Sequence, residues 1–325
     1  MKAMMVTDFG GTEFLKLKEI DIPKIKADEV LIRVIKTSVN YADIKSRYGK
    51  KGTALPFIPG LDATGYIEET GKDVTRLKKG QRVIAFPKNG SYAEYVVASS
   101  LLVFPIPDEL DFLTAAACPI VSFLAHRLLY NVAQIKEGES VLVHAAAGGV
   151  GTTAIQLARL MGAGKIIGTV GSYEKIKMAE ESGADYVICY EEEDFAEKTN
   201  EWTAGNGVDI ILDSVSGEVT ENSMNCLAPY GRLVHFGNSS GKVGEITTVD
   251  LHSSCRSVLG FSLGTTRKLR PQLLQETASK VLPLLANKQL KMKIGHEFAL
   301  EDIAQAHLLM EGRKNKGKII INVGE

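Results

Sequence analysis

Apolar and polar positions alternate in short runs over the first third of the chain. Glu29-Val30-Leu31-Ile32-Arg33-Val34 has the period of a half-buried strand, and Thr64–Glu69 and Gln81–Phe86 read similarly. Turn residues separate them at Gly71-Lys72-Asp73, Lys79-Gly80 and Asn89-Gly90. Many short strands at this spacing predict a partly open antiparallel β-barrel. From about Leu113 the texture becomes helix, strand, helix, strand. Strands are expected at Ser140–His144, Lys165–Val170, Tyr186–Cys189, Val208–Asp213, Gly231–Phe236 and Ser257–Phe261, with helices between most of them, among them Tyr173–Ser182 and Glu218–Cys226. That alternation predicts a doubly wound parallel sheet of α/β class. After about Lys268 come two helical patterns and a last strand, Lys318–Val323, expected to return to the first domain. The expected division is residues 1–122 with 268–325, and 123–267 as an inserted domain.

A chain of 325 residues is long enough for two domains. Thirty-eight basic side chains against 39 acidic ones leave a net charge of -1, which gives no reason to expect nucleic acid or a membrane as a partner. Cys118, Cys189, Cys226 and Cys255 are scattered and predict reduced thiols. With no signal-peptide core at the N-terminus and no membrane-length apolar run, a cytoplasmic protein is expected.

The densest chemical signal is His144-Ala145-Ala146-Ala147-Gly148-Gly149-Val150-Gly151, between the strand at Ser140–Val143 and the helical run Thr152–Arg159. From Ala146 it reads A-x-G-x-x-G, a dinucleotide fingerprint with alanine for the first glycine. Gly148 would admit a pyrophosphate to the backbone, and Gly151 would let helix and strand pack closely. The phosphates would meet the free N–H groups of a helix N-terminus. A packed strand-to-helix turn without ligand would use the same small residues.

The second strand of the series, Lys165–Val170, runs into Gly171-Ser172-Tyr173-Glu174-Lys175 with no acid directly after it. An acid there would hold the ribose of NAD. Ser172 and Lys175 instead suit a 2′-phosphate, through charge-assisted bonds of roughly 1.5–3 kcal/mol each. Glu174 dissents, since it could reach a ribose hydroxyl, and Ser172 and Lys175 could equally be a helix cap and a solvated charge.

Gly138–Arg159, with the fingerprint inside it, resembles the signature of the zinc-independent, zeta-crystallin-like quinone oxidoreductases of the medium-chain dehydrogenase/reductase superfamily. Asn40-Tyr41-Ala42-Asp43, Gly168–Ser172, Tyr190, Phe236–Gly241 and Arg313–Lys318 also fit. The resemblance implies a GroES-like barrel domain, a Rossmann domain and NADPH in a cleft between them. It implies that Ala146, Ala147, Gly148, Gly149, Val150 and Gly151 line the cofactor. Ser172, Lys175, Tyr190 and Arg313 would surround the 2′-phosphate. Asn40 and Asp43 would lie near the nicotinamide, beside a loop made of Phe236, Gly237 and Asn238. By sequence alone, Asn40 and Asp43 could also cap a helix starting near Ala42, Tyr190 could be a surface aromatic and Arg313 a solvated charge.

Zinc relatives in the superfamily hold their metal through a Cys in C-x-x-D, a His in G-H-E and a later Cys. The matching stretches here are Asn40–Asp43 and Gly60-Leu61-Asp62, leaving Cys118, so no metal is expected. Without a Lewis acid, hydride transfer needs an acceptor that is already electrophilic, a quinone or an α,β-unsaturated carbonyl. Tyr41, Arg47 and Tyr48 are candidate donors to its oxygen. The family's tyrosines lie a little further along, where Lys45 and Lys51 stand here. The leading expectation is NADPH-dependent quinone reduction. Its rivals are an enal or enone reductase with the same motifs and a non-catalytic NADPH- or RNA-binding protein. The apolar stretch Ser257–Ser262 reads as a sheet edge, and a homodimer is expected.

Overall fold

The computed structural model describes residues 1–49 and 54–324. They form two compact units, Met1–Phe123 with Thr265–Glu325, and Leu124–Gly264. No helix among the described residues is long and apolar enough to cross a membrane.

In the first unit a sheet runs in the order Ile294–Ala299, Lys318–Asn322, Glu29–Val39, Ala63–Thr70, Arg82–Ala85 and Val103–Pro105. Tyr95–Ser99 pairs separately with Glu29–Val39, as a curled and partly open barrel requires. All pairings are antiparallel except that of Ile294–Ala299 with Lys318–Asn322. The run Glu29–Val34 is expected to show one face to water, and the strand that contains it extends to Val39. Instead it is buried along nearly its whole length, because it shares ladders with three strands and carries the helix Phe112–Ala117. Val30, Ile32 and Val34 enter a core with Ile67, Val83, Val96 and Val103. The strand Ile294–Ala299, which contains Gly295, His296 and Glu297, is not among the expected elements.

The second unit is a six-stranded parallel sheet ordered Tyr186–Cys189, Lys165–Val170, Ser140–Val143, Val208–Asp213, Leu227–His235, Ser257–Gly260. Numbered along the chain this is 3-2-1-4-5-6, the doubly wound order that binds ligands at the carboxyl ends of its strands. The helix expected over Tyr173–Ser182 is shorter, a single 3-10 turn at Tyr173–Lys175 followed by Ile176–Glu180. Gly183, at φ +106°, marks the turn beyond it. The helix expected at Glu218–Cys226 likewise ends at Ser223.

Candidate active site

In the second unit the strand Ser140–Val143 leads through a tight turn into the helix Gly149–Leu160. Ala145 turns the chain at φ +52°, its carbonyl accepts the N–H of Gly148 at 2.9 Å, and the N–H of Ala146 bonds Thr169 O at 2.9 Å. A methyl group at Gly151 would stand 2.4 Å from Ala145 O and 2.7 Å from Ala146 Cα, so only glycine lets the helix start this close to the turn. At Gly148 the nearest atom would be 3.2 Å away. Ala146 and Ala147 are buried, whereas Gly148, Gly149 and Val150 are half-buried. The first helical N–H groups, at Gly149, Val150 and Gly151, have no intrahelical acceptors by their position.

The strand Lys165–Val170 ends beside this turn. Tyr190 bonds back to it through its N–H and Val170 O at 3.0 Å, and a Cβ at Gly171 would lie 2.7 Å from the Tyr190 hydroxyl. Ser172 stands at the N-cap of the following turn, yet its hydroxyl makes no capping bond. Ser172, Lys175 and Tyr190 are half-buried at the ends of two neighbouring strands. Arg313 lies in the first unit, exposed, just past the helix Ile303–Glu311.

Phe236, Gly237 and Asn238 continue the strand Leu227–His235 at the same end of the sheet. Phe236 N–H bonds Asp213 O at 2.9 Å, Ser239 N–H bonds Ser214 O at 3.0 Å, and a Cβ at Gly237 would come within 2.9 Å of Ser214 O. The loop is therefore pressed onto residues 213–216. Asp213 anchors that turn by accepting from Val215 N–H, Ser216 N–H and the Thr220 hydroxyl. Burial pushes its carboxyl up, but His144 and these donors outweigh it and leave it below the ordinary range. His144 itself bridges Thr169 and Ser223 at 2.9 Å each, and burial pushes it down to about 4.

In the first unit Asn40 caps the helix Tyr41–Arg47, one residue earlier than Ala42, and its N–H donates to Asp43 Oδ2 at 2.8 Å. Capping and chemistry need not exclude each other here, because the Asn40 side chain also meets groups outside the helix start. Its Oδ1 accepts from Lys318 Nζ at 2.8 Å, and its Nδ2 lies 3.5 Å from both carboxylate oxygens of Asp62. Lys318 also donates to Val39 O, and Asp62 accepts from the Ser38 hydroxyl at 2.8 Å. The register explains the meeting: Ile319 pairs with Val39, so one step further along the antiparallel ladder Lys318 faces Asn40. Burial pushes the Asp43 carboxyl up to about 7, against the lowering effect of the Asn40 N–H. Burial also raises Asp62 and lowers Lys318, although each offsets the other's shift. The hydroxyl of buried Tyr92 reaches Asp43 at 3.1 Å.

Tyr41 and Tyr48 sit on the outer side of the same helix, 43% and 57% exposed, so neither joins the buried cluster. With Ile44, Lys45, Gly49 and Glu311 they line a cavity of about 570 Å³. Lys45 Nζ stands 5.6 Å from the Tyr41 ring centroid, and the Arg47 guanidinium lies 4.8 Å from that of Tyr48. Arg47, a candidate donor by sequence, is fully buried beneath this surface. Lys51 lies outside the described residues. No role is read from the sequence for Tyr92, Asp62 or Lys318. The i, i+3 spacing of Asn40 and Asp43 signals a buried polar helix start, but nothing local to positions 92 or 318 says that they come to it.

The positions matching the zinc ligands of related enzymes do not suit the metal. Asn40 offers an amide already held by an ammonium, and Leu61 offers no donor. Cys118 is buried with its thiol 3.4 Å from Ala115 O, and burial beside Asp62 holds it firmly protonated. The described residues contain no cluster of three or more His, Cys, Asp or Glu side chains able to hold a metal.

The chain matches the zinc-binding dehydrogenase family over residues 149–284 and the alcohol dehydrogenase GroES-like domain over residues 26–108. It is 36% identical to the quinone oxidoreductase of Homo sapiens, covering 99% of this chain and 97% of that one. Identity to the quinone oxidoreductase of Pseudomonas aeruginosa is 33%, over 98% and 99% of the two chains. The solved quinone oxidoreductase of Escherichia coli, complexed with NADPH, superposes with a TM-score of 0.93 at 30% identity, over 99% of this chain and 100% of that one.

Proposed function

The chain belongs to the quinone oxidoreductase family of the medium-chain dehydrogenase/reductase superfamily, and we propose that it reduces quinones with NADPH and without a metal. The observation that carries this reading is the pairing of Asn40 Oδ1 with the Lys318 ammonium beside a protonated Cys118. A cation site needs anionic or imidazole donors, and this cluster already contains a fixed cation of its own.

Residues of the second unit would hold the cofactor. The N–H groups of Gly149, Val150 and Gly151 would receive the pyrophosphate, with Ala146 and Ala147 forming the small-residue floor and Gly148 admitting it to the backbone. Ser172, whose hydroxyl is not used as a cap, would join Lys175 and Tyr190 in holding the 2′-phosphate. Phe236, Gly237 and Asn238 would border the nicotinamide. Bound NADPH supplies a hydride. The protein's part is to bind, to orient the acceptor and to exclude water. Tyr41 and Tyr48 would present hydroxyls and ring faces to a quinone at the cavity they line. The active form would be a homodimer formed through the edge strand Ser257–Gly260.

Titration with NADPH and NADH, followed by nicotinamide fluorescence, tests the cofactor assignment. NADPH should bind at least about tenfold more tightly, and Lys175→Ala should abolish the difference. Turnover of a benzoquinone against a 2-alkenal at matched NADPH then tests the acceptor. Faster reduction of the alkenal would overturn the quinone assignment in favour of an enal reductase.

A further inference from the structure

The cavity of about 570 Å³ beside the helix Tyr41–Arg47 has a wall that carries fixed charge as well as aromatic surface. Tyr41, Lys45 and Tyr48 follow one another at i, i+4 and i+7, so they share one stripe of the helix. Lys45 Nζ stands 5.6 Å from the Tyr41 ring centroid, which brings the ammonium within reach of a ligand lying against that ring. Glu311 is the one acid among the described residues that line the cavity. Its carboxylate is engaged already, by Arg47 Nη2 at 2.5 Å and by the Tyr48 hydroxyl, from which it accepts.

Arg47 sets the balance of charge. Its guanidinium is fully buried 4.8 Å from the Tyr48 ring centroid, and its Nε and Nη1 have no hydrogen-bond partner within the protein. An arginine keeps its charge even here, so at this wall one carboxylate meets two cations. The groups behind the wall do not reverse that. Burial and Arg47 push His307 down to about 3 and keep it neutral, and Asp43, on the inward side of the helix, is offset by Lys318. Buried charge is poorly screened, so the excess is felt in the cavity. Aromatic faces beside an excess of positive charge suit a flat ring with a negative substituent.

We propose that this cavity binds a planar aromatic anion, Lys45 pairing with its carboxylate or sulfonate while Tyr41 and Tyr48 take its ring. Resting on the quinone reading above, this makes the acceptor a quinone that bears an acidic substituent, and makes Lys45 the residue that selects it. The volume lies inside the range of about 300–1,000 Å³ of small-molecule sites, which leaves room for a fused ring and its substituent. Lys45 would meet the substituent and not the carbonyl that is reduced, so its charge acts on KM and leaves kcat alone.

Lys45 is exposed, so its variants alter charge and not packing. The test is steady-state reduction of 1,2-naphthoquinone and of its 4-sulfonate by the full-length protein at saturating NADPH. In Lys45→Gln the ratio of kcat/KM for the sulfonate to that for the parent should fall about threefold or more, through KM. It should fall further in Lys45→Glu and persist in Lys45→Arg, and high salt should draw the wild-type ratio towards that of Lys45→Gln. A second measurement needs no turnover. Naphthalenesulfonate, which accepts no hydride, should bind the cofactor-free wild type about threefold or more tightly than Lys45→Gln. Binding of naphthalenesulfonate unmoved in Lys45→Glu would overturn the anion site. A quinone ratio unmoved by both Lys45→Gln and Lys45→Glu, in a protein that reduces both quinones, would overturn Lys45 as the selector and leave the quinone reading standing. A wild-type protein that reduces neither quinone, yet binds naphthalenesulfonate through Lys45, would sink the quinone reading and keep the anion site.

Discussion

The Lys318 ammonium is 2.8 Å from the Asn40 amide oxygen, two residues 278 positions apart that meet because one antiparallel ladder runs a step past its last pair. The bond fixes which way the Asn40 amide faces and sets the buried charge of Asp62 and Asp43 against a cation. Replacing Lys318 by Met leaves those carboxyls without it. It also leaves the Val39 carbonyl and the Asn40 amide oxygen without their buried donor, at about 1–3 kcal/mol each. Lys318→Met should lower denaturant-unfolding stability by that order, and Lys318→Met with Asp62→Asn should recover part of the loss. An additive double variant would show that the two groups do not interact.

The two glycines of the nucleotide turn should behave differently. A methyl at Gly151 meets main-chain atoms at 2.4 and 2.7 Å, which cannot move without opening the turn, whereas at Gly148 the closest approach is 3.2 Å. Gly151→Ala should cost about 1–3 kcal/mol of stability through overpacking. Gly148→Ala should be nearly neutral in stability but weaken NADPH binding, if the backbone there is where the phosphates approach. Equal thermal shifts for the two variants would contradict this division.

Much of the second unit is readable along the sequence because each of its strands is a local apolar run and each connection a helix, so periodicity and order coincide. The turn at Ala146–Gly151 was legible for the same reason, its strand, turn and helix being contiguous. The first unit was harder. Glu29–Val34 reads as half-buried, since a local pattern does not reveal three partner strands and a helix arriving from elsewhere. Asn40 and Asp43 stand out as a short polar motif, but Tyr92 lies 49 residues from Asp43 with no motif of its own, and the Arg313–Lys318 match says nothing of Lys318 meeting Asn40. Tyr41 and Tyr48 are near Asn40 in sequence. Helical geometry separates them, turning both onto the exposed side while Asp43 and Ile44 face inward.

The edge strand Ser257–Gly260 pairs on one side only, with Leu227–His235, so its outer backbone groups are available to a second chain. A lysine at exposed Ser257 or a proline at exposed Gly260 should block that pairing. Light scattering after size exclusion should show a dimer for the wild-type protein and a monomer for Ser257→Lys with Gly260→Pro. A wild-type monomer at micromolar concentration would refute the edge as a dimer contact.

His144 offers a sharp test in pH. The Ser223 hydroxyl gives its hydrogen to Val219 O at 2.6 Å, so it must accept from His144 Nε2–H, and Nδ1 in turn accepts from the Thr169 hydroxyl. The buried ring is thus held neutral, at about 4 against the ordinary 6.5. Below pH 6.5 the unfolded chain takes up a proton that the folded chain refuses. The stability from neutral His144 is therefore complete above about pH 6.5 and is lost progressively as the pH falls towards 4. The difference corresponds to about 3 kcal/mol. His144→Asn, which keeps a donor and an acceptor but cannot titrate, should be less stable than wild type at pH 7. Between pH 7 and 4 it should then lose about 3 kcal/mol less, so that the two unfolding curves converge in acid. Parallel curves over that range would mean that the ring is protonated or solvated in the folded protein, and that the tautomer set by Ser223 and Thr169 does not exist.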